Sequence, residues 1–254
     1  MNLMLAWLRT LPALLVCAAC GLLVGCGGSG GGQPGEDPNV YFINASADAG
    51  EIDFLLNAII RAAALDYLEN TPDFISVPFI SDDNGGYDLV TQQTATSTVI
   101  DAQNGVLNHD TDNVLIGVGL VNFAPGENLK RFRTIILQAN RTAPTGNKAR
   151  LYIVHAFVRE VGQATPAIRF QNAGDNPQFF TSGIEFGDST ELLVDSGTMD
   201  WWAKRNDATA DVIYAMATVT LDPASVYIVL VSGIENDPNP LLLPKLTFLK
   251  IPTD

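Results

Sequence analysis

Beyond residue 26 the chain contains no cysteine; the three it has are Cys17, Cys20 and Cys26. A body without cysteine has no disulfide and no catalytic thiol, so packing alone must hold it. Histidine is nearly as scarce. His109 and His155 lie far apart in the sequence, and a His-based metal site or catalytic triad would need other ligands to join them. Cations are few as well: 14 Lys and Arg against 28 Asp and Glu give a formal charge of −14. Nucleic-acid affinity comes chiefly from cations neutralising phosphates, so no nucleic-acid partner is expected. The sequence carries no cofactor pattern either. Hydrophobic residues at 47% and charged residues at 17% fit a globular class rather than disorder.

One long apolar run is present, near the N-terminus. Arg9 is the only charge before Cys26, residues 11–24 are almost wholly apolar, and the run closes on Leu23-Val24-Gly25-Cys26. A short cationic end, an apolar middle and a small residue at the cut are the parts of a secretory leader. An uncleaved span needs about 20 apolar residues. Residues 3–24 reach that length only with Arg9 inside the run. The stretch resembles a bacterial lipoprotein processing site. That resemblance implies recognition of Leu23, Val24 and Gly25, cleavage before Cys26, and lipidation of the Cys26 thiol. Cys17 and Cys20 would be discarded with the leader. One acyl chain holds a protein marginally, at about 0.8 kcal/mol per buried methylene, while two or three make a lasting anchor. Gly27 stands where Asp, in the sorting signals this resembles, retains a protein at the inner membrane, which implies a place in the outer membrane of the cell envelope.

The leader is thus expected at 1–25 and a Gly-rich tether at 26–38, a flexible spacer with no residue able to pack. Gly27-Gly28-Ser29-Gly30-Gly31 matches G-x-S-x-G literally. A nucleophile elbow requires a strand before the Ser and a helix after it, so the match is read as chance.

From residue 39 onward, short β-rich runs alternate with turn residues. They fall at 40–44, 52–56, 74–79, 87–91, 98–100 and 114–121, then at 151–155, 167–170, 191–194, 199–203, 213–221 and 226–231. This spacing predicts an all-β fold of two tandem antiparallel β-sandwiches, at 39–147 and 148–254. The polar segment 140–148, with Pro144 and Gly146, marks the boundary. The halves also match each other. Val40-Tyr41-Phe42-Ile43-Asn44-Ala45 parallels Leu151-Tyr152-Ile153-Val154-His155-Ala156, and Ile52-Asp53-Phe54 parallels Ile168-Arg169-Phe170. Late in each half an apolar strand ends on glycine, at Gly119 and Gly233. Residues 55–70 stay open: Ala and Leu favour a helix by propensity, while the repeat requires a strand end, a connection and another strand.

The opening strand followed by Ala45-Ser46-Ala47-Asp48-Ala49 resembles a bacterial envelope family catalogued as domain of unknown function forty-three ninety-seven. Gly183-Ile184-Glu185-Phe186-Gly187 and the strand ending at Gly233 resemble its later hallmarks. The resemblance implies two copies of an immunoglobulin-like sandwich found in exported proteins and lipoproteins, with no established activity. The family's turn carries a His and an Asp. The first copy has Asn44 in place of that His, and the second keeps His155-Ala156 but continues as Phe157-Val158-Arg159.

Several groupings are candidates for a site. Trp201-Trp202 is the conspicuous aromatic pair; adjacent strand side chains point to opposite faces, so one enters the core and the other faces solvent or a partner. Beside Lys204 and Arg205 such a ring suits stacking on a glycan or docking of an envelope protein. Asp82-Asp83-Asn84-Gly85-Gly86 and Asn108-His109-Asp110-Thr111-Asp112-Asn113 carry clustered oxygens suited to calcium, as does the turn Glu235-Asn236-Asp237-Pro238. Neither of the first two has EF-hand spacing, and Asp, Asn and Gly are also hairpin-turn chemistry. His155 is expected at a strand end as a hydrogen-bonded turn residue. The expectation is a lipid-anchored envelope protein acting as a non-catalytic binding or structural module, with membrane contact through its lipid. The alternatives are a carboxylate-dependent hydrolase using Asp82 or Asp83, or a calcium-stabilised adhesin-like stalk. Oligomeric state and the identity of the ligand stay open.

Overall fold

Four strands with almost no polar alternation lie at the centre of the structure, and the rest of the fold covers them. The computed structural model describes residues 37–79, 86–109, 111–160, 162–173, 177–206 and 212–254. The first half contains β1 (Asn39–Asn44), β2 (Ile52–Leu56), β3 (Ile59–Leu65), β4 (Ile75–Ser76), β5 (Gly86–Gln93), β6 (Thr98–Val106), β7 (Asp112–Val118) and β8 (Arg133–Ala139). The second contains β9 (Lys148–Val158), β10 (Ile168–Asn172), β11 (Phe180–Ile184), β12 (Ser189–Asp195), β13 (Gly197–Arg205), β14 (Ile213–Leu221), β15 (Ser225–Ile234) and β16 (Lys245–Ile251). Short 3-10 turns at Asn128–Lys130 and Pro240–Leu242 precede β8 and β16. The fold is all-β, with no α-helix among the described residues.

Each half makes two four-stranded sheets. The first half has β4-β1-β7-β8 and β3-β2-β5-β6; the second has β12-β9-β15-β16 and β11-β10-β13-β14. Adding eight to each strand number turns one pair of sheets into the other. Within the first half, Phe42, Leu115 and Phe132 meet Ile52, Phe54 and Leu89 in one core. Within the second, Ile153, Phe157 and Val229 meet Phe170 and Trp201 in another. A third core lies between the halves, where Tyr41, Ile43, Val114 and Ile116 pack with Tyr152, Val154, Ile228 and Leu230. The described body is therefore a stack of four sheets, two inner and two outer.

This stacking explains the composition of the inner strands. Phe42 points into the first core while its neighbours Tyr41 and Ile43 point into the central one. A strand covered on both faces has no polar side to show, and all seven residues of β7 are buried. The same covering suits parallel pairing, which departs from the antiparallel expectation at two places. β1 runs parallel to β7, from Val40 beside Asn113 to Asn44 beside Gly117, and β9 runs parallel to β15.

Residues 55–70 form strands. Asn57 and Ala58, at φ 51° and 62°, make the two-residue turn between Leu56 and Ile59, and positive φ at both centres is the hairpin geometry that matches strand twist. The alanine run makes a bulged strand instead of a helix: Ala64 takes φ 52° at an irregularity in the β2–β3 pairing, and Asp53 Oδ1 accepts from its N–H at 2.9 Å. Tertiary pairing overrides propensity here. The run at 74–79 contributes only the two-residue β4, and β3, β8, β11 and β16 are strands the sequence pattern did not single out.

Gly119 and Gly233 occupy the same place in the two copies. A Cβ at Gly119 (φ 98°) would lie 2.6 Å from Arg131 O, and one at Gly233 (φ 114°) 2.6 Å from Leu243 O. Positive φ and backbone contact both require glycine there. Gly119→Ala and Gly233→Ala should each cost about 1–3 kcal/mol in urea unfolding. Gly146→Ala, with positive φ but open space around it, should cost less. Equal losses at all three would show that the backbone contacts yield. Because the central core joins the copies non-covalently, cutting an engineered protease site within 142–147 should leave the two halves co-eluting in size exclusion. Separation without denaturant would contradict this packing.

Candidate functional site

The polar residues that open each copy are bound into the scaffold. Asn44 Nδ2 donates to Gly50 O and Leu65 O, each at 2.9 Å, while its Oδ1 accepts from Ser46 N at 3.0 Å. Ser46 Oγ donates to Gly119 O at 2.7 Å, and Asp48 accepts from Val121 N and Asn122 N, both at 2.8 Å. These side chains latch the turn after β1 onto the chain leaving β7. Asp53 is committed in the same way: burial alone would raise its pKa, but Ala64 N–H, Thr94 and Gln92 hold it below the usual carboxylate range.

His155 is the counterpart of Asn44, and its place corrects the strand-end expectation. It lies within β9, which runs on to Val158 because the second copy has no turn equivalent to Ser46–Asp48. Its ring is fully buried. Nδ1–H donates to Ile184 O at 2.9 Å, at the end of β11, as Asn44 donates to Leu65 O at the end of β3. Nε2 has no partner among the described residues. With Phe157 stacked on it and Phe186 meeting it edge-on, burial pushes its pKa down to about 4.

Contacts across the halves are reciprocal. The Arg133 guanidinium, at the start of β8, sits 4.9 Å from the Phe186 ring of the second copy. Lys245, at the start of β16, places Nζ 4.6 Å from the Tyr67 ring of the first. Tyr67 OH also donates to Ser232 Oγ at 3.1 Å. Lys130 has no such mirror. Its buried ammonium donates to Glu127 Oε1 and Glu160 O, each at 2.8 Å, and to Arg159 O at 3.1 Å. Hydrogen bonds from Lys130 and from Gly162 N–H hold Glu127 below the usual carboxylate range.

The calcium candidates divide. Residues 80–85 and 110 lie outside the described residues, and with them Asp82, Asp83 and Asp110. In the rest of the second loop, Asp112 accepts from Arg141 at 2.5 Å. Asn113 bridges Asn108 N at 3.0 Å and Asn108 O at 2.8 Å. In the third turn, Glu235 pairs with Arg159 and Asp237 accepts from Asn239 N. No cluster of three or more His, Cys, Asp or Glu able to hold a metal occurs among the described residues. An open groove beside β6 contains Asp101, Arg131 and Arg133. Its carboxylate accepts from Thr134 N at 2.8 Å.

The tryptophan pair separates by strand alternation. Trp201 is fully buried, stacked 5.0 Å from Phe170, and is therefore a core residue rather than a contact residue. Trp202 is half-buried on the outer face of β13, with Lys204 Nζ 4.5 Å from its ring centroid. In register with it stand Gln171 on β10, Met216 on β14 and, beyond Gln171, Phe180 on β11. Phe180 and Met216 are exposed neighbours the sequence did not nominate. Alternation along 213–221 places Met216 on the outer face once β13 and β14 are paired. The lipidation site Leu23-Val24-Gly25-Cys26 lies outside the described residues.

No family model matches the chain, and no curated protein matches it. Among solved structures, the chain is similar to a family 26 carbohydrate-binding module of Eubacterium rectale Amy13K, solved with maltoheptaose. Identity is 10%, over 85% of this chain and 98% of that one, with a TM-score of 0.26. It is also similar to a candidate cell adhesion protein from Bacteroides ovatus, at 10% identity over 86% and 99%, with a TM-score of 0.24. Overlap at that level assigns no function to this chain.

The lowered pKa of His155 gives stability a sign with pH. The unfolded chain takes up the proton near 6.5 and the folded chain only near about 4. This contribution is therefore intact above 6.5 and falls across that window by on the order of 3 kcal/mol. His155→Asn, which installs the residue of the first copy, should flatten that part of the acid loss in melting curves. Parallel pH profiles for the two proteins would show that His155 does not carry it.

Proposed function

We propose that the chain is a lipid-anchored protein of the bacterial cell envelope. Its leader is removed before Cys26, the Cys26 thiol and the new N-terminus carry acyl chains, and Gly27 directs it to the outer membrane. In this reading, residues 26–38 tether a rigid, non-catalytic double sandwich of the domain family it resembles. The body works by presenting its outer sheets to a partner in the envelope, a glycan or another protein.

The observation that supports a non-catalytic reading is the commitment of the described polar candidates to the scaffold. Asn44, Ser46, Asp48 and Asp53 each bond to backbone across a turn or bulge. Asp112 is paired with Arg141, and His155 is sealed from solvent. A general acid or base must reach a substrate proton within hydrogen-bond distance. Groups held in this way have structural work instead.

Mass spectrometry of protein extracted from native membranes tests the anchor. The expected product begins at Cys26 with diacylglycerol on sulfur, and Cys26→Ser should move the protein to the soluble fraction. Recovery of residues 1–25 on the membrane form, or an unmodified Cys26, would overturn the reading.

A further inference from the structure

We propose that the cross-strand row Phe180, Gln171, Trp202 and Met216, on the outer sheet of the second copy, is a docking platform for a neutral polysaccharide chain. The inference rests on the envelope-binding reading above and gives it a site and a ligand class.

Three observations carry it. First, the duplication supplies an internal control. The same row in the first copy is Ile60, Leu55, Val90 and Ala102, in the same register. The fold is thus satisfied by aliphatic side chains at these places, of which Ile60 is 51% exposed. The second copy instead presents two aromatic rings and a thioether, with Phe180 58% and Met216 68% exposed and Gln171 buried between the two rings.

Second, the platform is held before any ligand arrives. Lys204 is only 4% exposed and its ammonium covers one side of the Trp202 indole. The solvent-exposed part of that ring is then its other face and edge. A ring fixed in this way loses little rotamer freedom on binding.

Third, the shape selects the occupant. Strands lie about 4.8 Å apart, so the row spans about 14 Å, with the two rings about 10 Å apart. The apolar strip is one residue row deep except beside Lys204, where Ile213 is 38% exposed. On one side Asp200 accepts from Thr218 at 2.5 Å, and Thr198 and Thr220 share a hydrogen bond at 2.7 Å. On the other side stand Arg169 and Lys204. Such a strip covers roughly 300 Å², against the roughly 800 Å² per partner of a stable protein interface. A sugar chain has the complementary profile: apolar C–H faces that stack on rings, edged by hydroxyls that bond to the exposed carboxylate and hydroxyl groups of Asp200, Thr198 and Thr220. Flanks of both charge signs favour a neutral chain over an anionic one.

The test uses the whole chain from Cys26 onward, with soluble cellohexaose, maltohexaose and chitohexaose as probes. Trp201 is sealed in the core, so a fluorescence change reports on Trp202. At least one probe should give a saturable titration. Trp202→Ala should weaken it about tenfold or more, Trp202→Phe less, and Val90→Ala in the first copy not at all. Unchanged melting and near-ultraviolet circular dichroism would certify the fold of each variant. The proposal is overturned if none of the three probes binds at millimolar concentration, if Trp202→Ala binds like the parent, or if Val90→Ala weakens binding equally. An acylated Cys26 alongside any of these results would discard this platform and leave the envelope reading standing.

Discussion

Burial of the inner sheets on both faces is the constraint from which the other features follow. A sandwich ordinarily leaves the outside of each sheet to water, and its strands alternate accordingly. Here the outside of each inner sheet is the inside of a third core, so β1, β7, β9 and β15 have no solvent face. Each fully buried aliphatic or aromatic side chain contributes about 1.5–3 kcal/mol. The central cluster includes residues from both copies. That layer outweighs any single polar contact across the boundary, including the Lys130 clamp. The buried polar groups of the inner strands are partnered: Asn44 and His155 bond to backbone, as Ser46 does just after β1, while Asp112 pairs with Arg141 and Ser232 with Tyr67.

The halves meet as two subunits of a symmetric dimer would. Tyr41, Ile43 and Ala45 of one copy and Tyr152, Val154 and Ala156 of the other fill the same layer. Arg133 on Phe186 and Lys245 on Tyr67 are one contact made twice with the roles exchanged. This is the self-complementary pattern of an isologous interface. Covalent fusion frees each copy from keeping the other's sequence. Lys130, bonded to Arg159 O and Glu160 O, is one product of that freedom, and the aromatic outer row of the second copy is another.

Much of the fold is legible in the sequence because hydrophobic pattern and repeat agree. The strand limits 52–56 and 213–221 are those of β2 and β14, and the paired motifs at 40–45 and 151–156 occupy equivalent registers beside β7 and β15. The opposite fates of Trp201 and Trp202 follow from alternation alone. What escaped has physical reasons. β8, β11 and β16 are half-buried, so their patterns are diluted. β3 is rich in alanine, and it is a strand because the Asn57–Ala58 turn pairs it with β2 and Asp53 fixes the bulge at Ala64. His155 looked terminal because a turn follows its counterpart in the first copy. The central core itself was written in the unalternating inner runs, yet a run of that kind fits any doubly covered strand and does not say what covers it. The outer row was hidden more deeply, since its members come from four strands and only the register brings them together.

The proposed division, stability in the centre and recognition at the surface, has a consequence for affinity. Stacking of a sugar on one ring is weak, and aromatic contacts of this kind are worth about 0.5–1.5 kcal/mol beyond area burial. Under the proposed anchoring at Cys26, many copies held at one surface would meet a polymer together, and each further contact would be made at a raised effective concentration. The net charge of −14 would keep such bodies apart from one another. Multivalency of that kind would let a shallow platform suffice without a deep pocket.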